Sequence, residues 1–333
     1  MRIALVGFGN VGRALARMLS KPAVSAATLH RPRAPLTITA IGTKSHGAVV
    51  DAKGIDLATI LGGTDLPLPA LPRIKDLPAD VVVEITTLDP RSGEPALSYI
   101  REALAAGKHV VTANKGPIAR AYRELEDLAR RHHVLLRFEA TLADCLPVFT
   151  LRRAALPLAD ISAMRGIVSS TCNYILSQCA TGASFADALA EAQRLGIAEA
   201  DPRNDLEGHD AAAKATILAN VLMDGDLHPE DVERHAIDAS VGEAARAAAK
   251  VGARVRPVID LERRGGRIIA SFRPRRLEPL DPLYAVDGFS MGLVYETDLA
   301  GRVAVQLHDP HVDQVAYAIL TDLLEIRATI PRT

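Results

Sequence analysis

Long apolar runs are missing from this chain. None reaches the roughly 18 residues that a bilayer-spanning helix needs, so no membrane partner is expected. No secretory leader is expected either, because a strand pattern already begins at Arg2. Cysteine is scarce: Cys145, Cys172 and Cys179 are the three among 333 residues, too few for a disulfide framework and suited to a reducing cytoplasm. For Cys145 and Cys172 the expectation is small core residues. An excess of charge is lacking too. With 39 basic and 40 acidic side chains, nothing in the balance favours nucleic acid or an anionic surface, and the short arginine cluster at residues 273–276 reads as solvated surface. Internal repeats and low-complexity tracts do not occur. What remains is ordinary globular composition, 48% hydrophobic and 24% charged, in a length comfortable for two cores.

The first motif arrives at once. Residues 2–6 are a short apolar run, Gly7, Phe8, Gly9, Asn10, Val11 and Gly12 spell GFGNVG, and a helical pattern follows through Leu15 and Leu19. In this setting Gly7 allows a tight turn, Gly9 lets the backbone approach a pyrophosphate, and Gly12 permits close packing of helix on strand. The phosphates would lie at the helix N-terminus, whose free N–H groups favour anions. A second strand, residues 36–42, should end near the adenosine ribose. NAD sites usually place an acid there, whereas this chain has Thr43, Lys44, Ser45 and His46 and no acid until Asp51. Lys44 and two hydroxyls suit a 2′-phosphate, so NADP is expected over NAD, a solvated loop charge being the other reading of Lys44.

Residues 79–86 form a continuous apolar strand ending in polar residues, as expected of a parallel strand buried on both faces, and its carboxyl end, Glu84, Thr86 and Thr87, lies where such folds bind ligands. A helix over 95–106 closes at Gly107, and a strand over 109–112 runs into TANKGP, which places Lys115 at a strand's carboxyl edge. Lys115 either reaches the nicotinamide end or simply starts the helix expected over 118–131. A strand over 134–139 completes the nucleotide half. Further strands are expected over 160–169, 255–262, 267–272, 293–297 and 302–307, with a hairpin at Gly265-Gly266. Thr171 or Asn173 either caps a helix or touches substrate. A last amphipathic helix spans about 312–326, and HDPHVDQ before it looks metal-like but reads as a loop-to-helix cap.

Residues 195–218 carry the densest chemistry. Glu199, Asp201, Asp205, Glu207 and Asp210 crowd the approach to a helix bearing Lys214, and Asp205 or a neighbour is the expected cap. With Asp210 at zero on a helical wheel, Lys214 falls at about 40°, Val221 at about 20° and Ile217 at about 340°, so the charged pair shares a side with the apolar stripe. His209, Thr216 and Asn220 occupy the polar side. A half-buried charge pair is costly and usually has further partners, although such i,i+4 pairs also occur as plain surface salt bridges.

With GFGNVG, TANKGP, GIVSSTCNYIL and LGIAEADPRNDLEGHDAAAK in this order, the chain resembles the homoserine dehydrogenase family from residue 1 to about 221. The resemblance implies an α/β protein. An N-terminal Rossmann dinucleotide-binding domain covers residues 1–140, an α+β substrate-binding and dimerisation domain covers 141–310, and a helix at about 311–327 returns to the first. It implies reversible reduction of L-aspartate 4-semialdehyde to L-homoserine with NAD(P)H, in threonine and methionine synthesis, by a cytoplasmic homodimer. By matching motif, Glu199 and Asp210, with Asp205 close by, hold the substrate, Lys214 is the catalytic lysine, and Lys115 touches cofactor and substrate. The chemistry agrees: an amino-acid ammonium needs carboxylates, and a developing alkoxide needs a proton and a positive neighbour. A lysine supplies both if its pKa falls from ~10.4 towards ~7 to 8.

Three departures stand against the pattern. The family's sodium site, built from backbone carbonyls in a glycine-rich run, maps near Glu139, Leu142 and Asp144, where glycine is absent, so no metal is assigned and sodium is doubtful. Ser169-Ser170 replaces Asn-Gly. His308 to Gln314 replaces another glycine-rich segment. No added ligand-sensing domain is expected. A related dehydrogenase of another small amino or oxo acid, or a nucleotide-binding module without turnover, are the alternatives.

Overall fold

The computed structural model describes residues 1–21, 35–63, 66–68, 70–87, 89 and 92–330, and it divides into two compact units, residues 1–145 with 311–333 and residues 146–310. The first unit is built on a six-stranded sheet in the order β3-β2-β1-β4-β5-β6. Its strands are β1 (Arg2–Val6), β2 (Thr37–Gly42), β3 (Ala48–Val50), β4 (Val81–Glu84), β5 (His109–Thr112) and β6 (Leu136–Arg137). All pairs are parallel except β2 with β3. Every residue of β4 is buried, which explains its unbroken apolar run: parallel strands are covered on both faces. One core joins Ile3, Leu5, Ile38, Val81 and Val83 of the strands to Leu15 of the helix Asn10–Leu19 and to Ile319, Leu323 and Ile326 of the helix Val312–Thr329. That last helix is tied to the sheet's far edge, where Asp322 accepts from the Glu139 amide at 2.9 Å and Arg137 pairs with Glu325 at 3.0 Å.

The chain order reverses at β1, with β2 on one side and β4 on the other. In such sheets ligands bind outside the carboxyl ends of the strands at this point, where Gly7 and Thr86 stand.

The second unit carries a sheet in the order β12-β11-β7-β9-β10-β8. Its strands are β7 (Ile161–Ile167), β8 (Glu233–Arg234), β9 (Arg254–Arg264), β10 (Arg267–Leu277), β11 (Met291–Thr297) and β12 (Gly301–Leu307). Gly265 and Gly266, both at positive φ (56° and 80°), form the two-residue turn of the β9–β10 hairpin, the geometry that a right-twisted ribbon prefers. Helices Ser170–Ala180, His209–Leu222 and Ala239–Ala249 pack against β9, and the second of them also against β10. The helix Ala239–Ala249, capped by Asp238, had no expectation in the sequence reading.

Several boundaries differ from that reading. The strand expected over 134–139 is only Leu136–Arg137, because Glu139 turns into a 3-10 segment whose amide is claimed by Asp322. The helix expected from 118 begins at Lys115. Thr216, assigned to a polar face, is fully buried: nine of the fourteen residues of its helix are buried, so that helix has core on most sides and the wheel's polar side is no guide to solvent.

Candidate active site

The glycine turn of the first unit has the shape that a pyrophosphate needs. Gly7 sits at φ +107°, and a Cβ built there would lie 2.4 Å from the Ile85 carbonyl oxygen, so only glycine fits. At Gly9 a Cβ would meet no atom within 4 Å, leaving the backbone open to an incoming group. Gly12 faces Ile85 and Phe8 side chains at 3.1 and 3.2 Å, the close helix-on-strand packing expected of it. The helix Asn10–Leu19 has no side-chain cap at Gly9, so its first N–H groups, including those of Asn10 and Val11, are not engaged by a capping side chain. Arg13 stacks over the Phe8 ring at 5.2 Å, adding positive charge one turn on. These residues fit a dinucleotide.

Beyond β2, Lys44 is exposed in the loop that leads to β3. The Thr43 hydroxyl, one of the two expected to face a 2′-phosphate, is instead engaged inside that loop, donating to the Gly47 carbonyl at 3.2 Å and accepting from the His46 amide at 2.8 Å. Lys44 and Ser45 are what remain. At the ends of β4 and β5, the Thr86 hydroxyl donates to Glu84 at 2.6 Å, and Lys115 is the first residue of the helix Lys115–Arg131, half-buried behind the N-cap Asn114. Lys115 is therefore both a helix-start residue and a lysine at a strand's carboxyl edge.

In the second unit the expected pair forms. Lys214 Nζ lies 2.7 Å from Asp210 Oδ2, with the two side chains 12% and 9% exposed, and it donates to the Val168 carbonyl at 2.6 Å. An ammonium has three donors. Two are engaged here, which fixes the head group and leaves the third. Val168 ends the segment that follows β7, and its carbonyl is a backbone acceptor without any side-chain signature, so sequence reasoning missed it.

The remaining candidates of the second unit carry corrections. Asp205 does not cap the Lys214 helix: it lies in the short helix Arg203–Leu206, and the N-cap is Gly208, left-handed at φ +76°, a turn closed by backbone geometry rather than by a side chain. Neither Thr171 nor Asn173 caps the helix Ser170–Ala180. Ser169 does, accepting from the Cys172 amide, because it is the residue with extended backbone before the first turn. Thr171 donates to the Ile197 carbonyl at 3.2 Å, which links it to the acidic segment. Asn173 is buried, donates to the Ser290 carbonyl at 3.2 Å, and keeps an Oδ1 with no hydrogen-bond partner. Glu199 is exposed, and its backbone carbonyl accepts from Gln193. Asp201, at first sight part of the acidic cluster, is held by Arg203 with its carboxyl lowered to about 2.

Cys172 is buried near Asp205 and Asp210, its thiol 3.4 Å from the Asp205 carbonyl, and burial pushes it up to about 12. A thiol so far from its thiolate is inert. Iodoacetamide at about pH 8 should therefore leave Cys172 unmodified in the native protein and label it after urea unfolding, which mass spectrometry of the tryptic peptides reads directly.

At the loop after Glu139, Ala143 and Asp144 both take φ +55°. Lack of glycine thus does not keep this loop from left-handed backbone, contrary to the conformational argument made from sequence, although two such residues carry a cost of about 1 to 2 kcal/mol each. Among the described residues no group of three His, Cys, Asp or Glu side chains could hold a metal. The HDPHVDQ run does lead into the helix Val312–Thr329, but its N-cap His311 makes no side-chain cap bond, and His308 meets the Ser290 hydroxyl at 3.3 Å instead.

The sequence profile of the homoserine dehydrogenase NAD-binding domain matches residues 7–139, and that of homoserine dehydrogenase matches residues 147–324. The chain is 35% identical to an NAD(+)-dependent homoserine dehydrogenase of Pseudomonas canavaninivorans, covering 99% of this chain and 97% of that protein. It is also 35% identical to a homoserine dehydrogenase of Methanocaldococcus jannaschii, with 98% of each covered. Among solved structures, homoserine dehydrogenase from Thermoplasma acidophilum superposes with a TM-score of 0.84 at 28% identity over 99% of both chains. A hyperthermophilic archaeal homoserine dehydrogenase in complex with NADPH gives 0.81 at 27% over 99% of this chain and 98% of that one. The glycine turn and the Lys214–Asp210 pair lie inside the matched regions, and the chain belongs to the homoserine dehydrogenase family of NAD(P)-binding oxidoreductases.

Proposed function

We propose that this protein interconverts L-aspartate 4-semialdehyde and L-homoserine, with Lys214 as the proton donor of the reductive direction. The observation that carries the assignment is the state of Lys214: half-buried, fixed by Asp210 and Val168 through two donors, with a third N–H left for a substrate oxygen. With the pyrophosphate of a reduced dinucleotide held at the turn of Gly7, Gly9 and Gly12, its nicotinamide would supply the hydride that turns the aldehyde into an alkoxide. Lys214 gives its proton to that oxygen, is left as the neutral amine, and recovers a proton from water; in the oxidative direction the amine takes the hydroxyl proton. Lys115 orients the oxygen. Glu199, Asp205 and Asp210 receive the substrate ammonium, and the unpartnered Asn173 Oδ1 and the Thr171 hydroxyl are further polar contacts for the amino-acid end. This reaction belongs to threonine and methionine synthesis, and a cytoplasmic site suits three free cysteines.

The assay is direct. NADPH absorbance falls on addition of the semialdehyde, and NADP is reduced with L-homoserine; failure of turnover with both, in a protein that binds the cofactor, refutes the assignment.

NADP is favoured over NAD. The support is Lys44, exposed after β2, with no acid before Asp51. Lys44→Ala should lower kcat/KM for NADPH about tenfold and leave NADH unchanged, the size of one charge-assisted phosphate contact. A wild-type enzyme that uses NADH better than NADPH sinks this preference.

A homodimer through the second unit completes the reading. Its support is the sheet face where Arg165, Asp260, Glu262, Arg264, Arg273 and Arg275 line a cavity of about 370 Å³. Acids and arginines share this face, which suits a surface meeting its own copy across a two-fold axis. Sedimentation equilibrium giving a single protomer mass at micromolar concentration would count against it.

A further inference from the structure

Glu84 is a fully buried carboxylate whose hydrogen-bond partners are all neutral. It ends β4 opposite Thr112, its register partner at the end of β5. One oxygen accepts from the Thr86 amide at 2.9 Å and the Thr86 hydroxyl at 2.6 Å, the other from the Thr112 hydroxyl at 2.8 Å, and Asn114 Nδ2 lies 2.9 Å from both. Val81, Val82 and Val83 before it are core residues, so packing alone would call for another apolar side chain. Burying a carboxylate is costly unless donors surround it, and these donors come from three separate strand-end positions.

What the network holds is the entry to the helix Lys115–Arg131. Asn114 occupies the N-cap yet makes no side-chain cap bond. Its amide group is turned to Glu84 and to the Thr86 carbonyl at 3.1 Å, while its backbone N–H donates to the Thr112 hydroxyl at 3.0 Å. Side chain and backbone of the residue immediately before Lys115 are thus both fixed by Glu84 or by a partner of Glu84. Behind the turn, a Cβ built on Gly93 would lie 3.2 Å from Gly116 C and Pro117 N, so the backbone there has little room to shift. A lysine head group on a long flexible stem is only as well placed as its Cα.

We propose that Glu84 is a positioning residue for Lys115, acting through Asn114 to fix where the lysine enters the reaction. The inference rests on the reading of Lys115 as a contact to the reacting oxygen. Glu84→Gln puts an NH2 group against the surrounding donors and releases Asn114, whereas Asn114→Ala cuts the tether without losing a cap bond.

Steady-state kinetics, NADPH titration and melting curves on the full chain test this with four variants: Lys115→Ala, Glu84→Gln, Asn114→Ala, and Glu84→Gln combined with Lys115→Ala. Misplacement by about an ångström gives an expected fall in kcat of roughly 30- to 100-fold for Glu84→Gln and about tenfold for Asn114→Ala. NADPH Kd should stay within about threefold, and adding Glu84→Gln to Lys115→Ala should change kcat by less than about threefold, because residues acting through one group are not additive. A purely structural Glu84 would instead lower the melting temperature and leave kcat per folded molecule intact, which overturns the proposal. So does a Glu84→Gln effect that multiplies with that of Lys115→Ala. Should Glu84→Gln fail to fold, Asn114→Ala alone and combined with Lys115→Ala decides the same question. Wild-type turnover in Lys115→Ala would remove the reading of Lys115 itself, while an impaired Lys115→Ala beside an unimpaired Glu84→Gln and Asn114→Ala removes only the role of Glu84.

Discussion

Lys214→Ala should lower kcat in both directions by about 10³-fold while NADPH affinity stays within about twofold, the pattern of a group engaged with the reacting atoms and not with the cofactor. The size follows from what is lost together: the proton donor and a positive charge beside a developing alkoxide. Lys214→Arg should not restore the rate. Its guanidinium keeps the charge but gives up no proton near neutral pH, and its planar fork does not match a head group set 2.7 Å from Asp210 and 2.6 Å from the Val168 carbonyl. Removing the ammonium leaves Asp210 buried with one partner fewer, so the variant should also lose about 1 to 3 kcal/mol of stability. Melting curves beside the kinetics keep that loss apart from the chemical one. Lys115→Ala should cost less, about 100-fold in kcat, because an orienting contact is lost and the proton donor is not. Near-normal turnover in Lys214→Ala with an inactive Lys115→Ala would reverse the two roles.

Which parts of this machinery could be read in advance depended on whether the structural cause sits in a side chain. The strand Arg2–Val6, the glycine turn and the helix to Leu19 were legible because the glycines have separate causes, a positive φ at Gly7, open space at Gly9 and close helix-on-strand packing at Gly12, and the strand His109–Thr112 came with its boundaries because a glycine and a polar turn bracket it. The Lys214–Asp210 pair was legible as two charges four apart on an apolar stripe. The other half of Lys214's anchoring was not, since a carbonyl acceptor at Val168 looks the same in any sequence. The same holds for Gly208, whose left-handed N-cap displaced the expected Asp205 cap, and for Ser169, whose extended backbone gave it the cap expected of Thr171 or Asn173. Thr216 failed for another reason: a helix walled by sheet and helices buries its polar wheel positions along with the rest. Asn114 was visible as a letter in a motif, but its engagement with Glu84, thirty residues away, needed the two strand ends to be side by side.

The two glycines of the turn should separate cleanly when each receives a single methyl group. In Gly7→Ala the new Cβ would stand 2.4 Å from the Ile85 oxygen and 2.6 Å from its carbonyl carbon, at φ +107°, a backbone angle alanine strongly resists. Neither atom can swing aside, because the Ile85 amide is bound to the Val6 carbonyl at 2.8 Å and the Gly7 amide to the Gly42 carbonyl at 2.8 Å. Relief requires β1 and β4 to part at the centre of the sheet, so a loss of at least about 3 kcal/mol is expected, seen as a fall of roughly 6 to 12 °C in melting temperature or as insoluble protein. Gly9→Ala meets no such obstacle: φ −79° suits alanine and no atom lies within 4 Å of the added Cβ. Its melting temperature in the absence of cofactor should match that of the parent within about 2 °C, since no mechanism of destabilisation applies. The open space at Gly9 matters only when a pyrophosphate comes down on the helix N-terminus, and there the methyl group should raise the NADPH Kd by about 10- to 100-fold. Calorimetric titration with NADPH reads the effect, and a Gly9→Ala protein that binds NADPH as the parent does would show that the cofactor phosphates lie elsewhere. Gly12→Ala belongs between the two, because its neighbours at 3.1 and 3.2 Å are the side chains of Ile85 and Phe8, which have room to rotate where a carbonyl in a sheet has none.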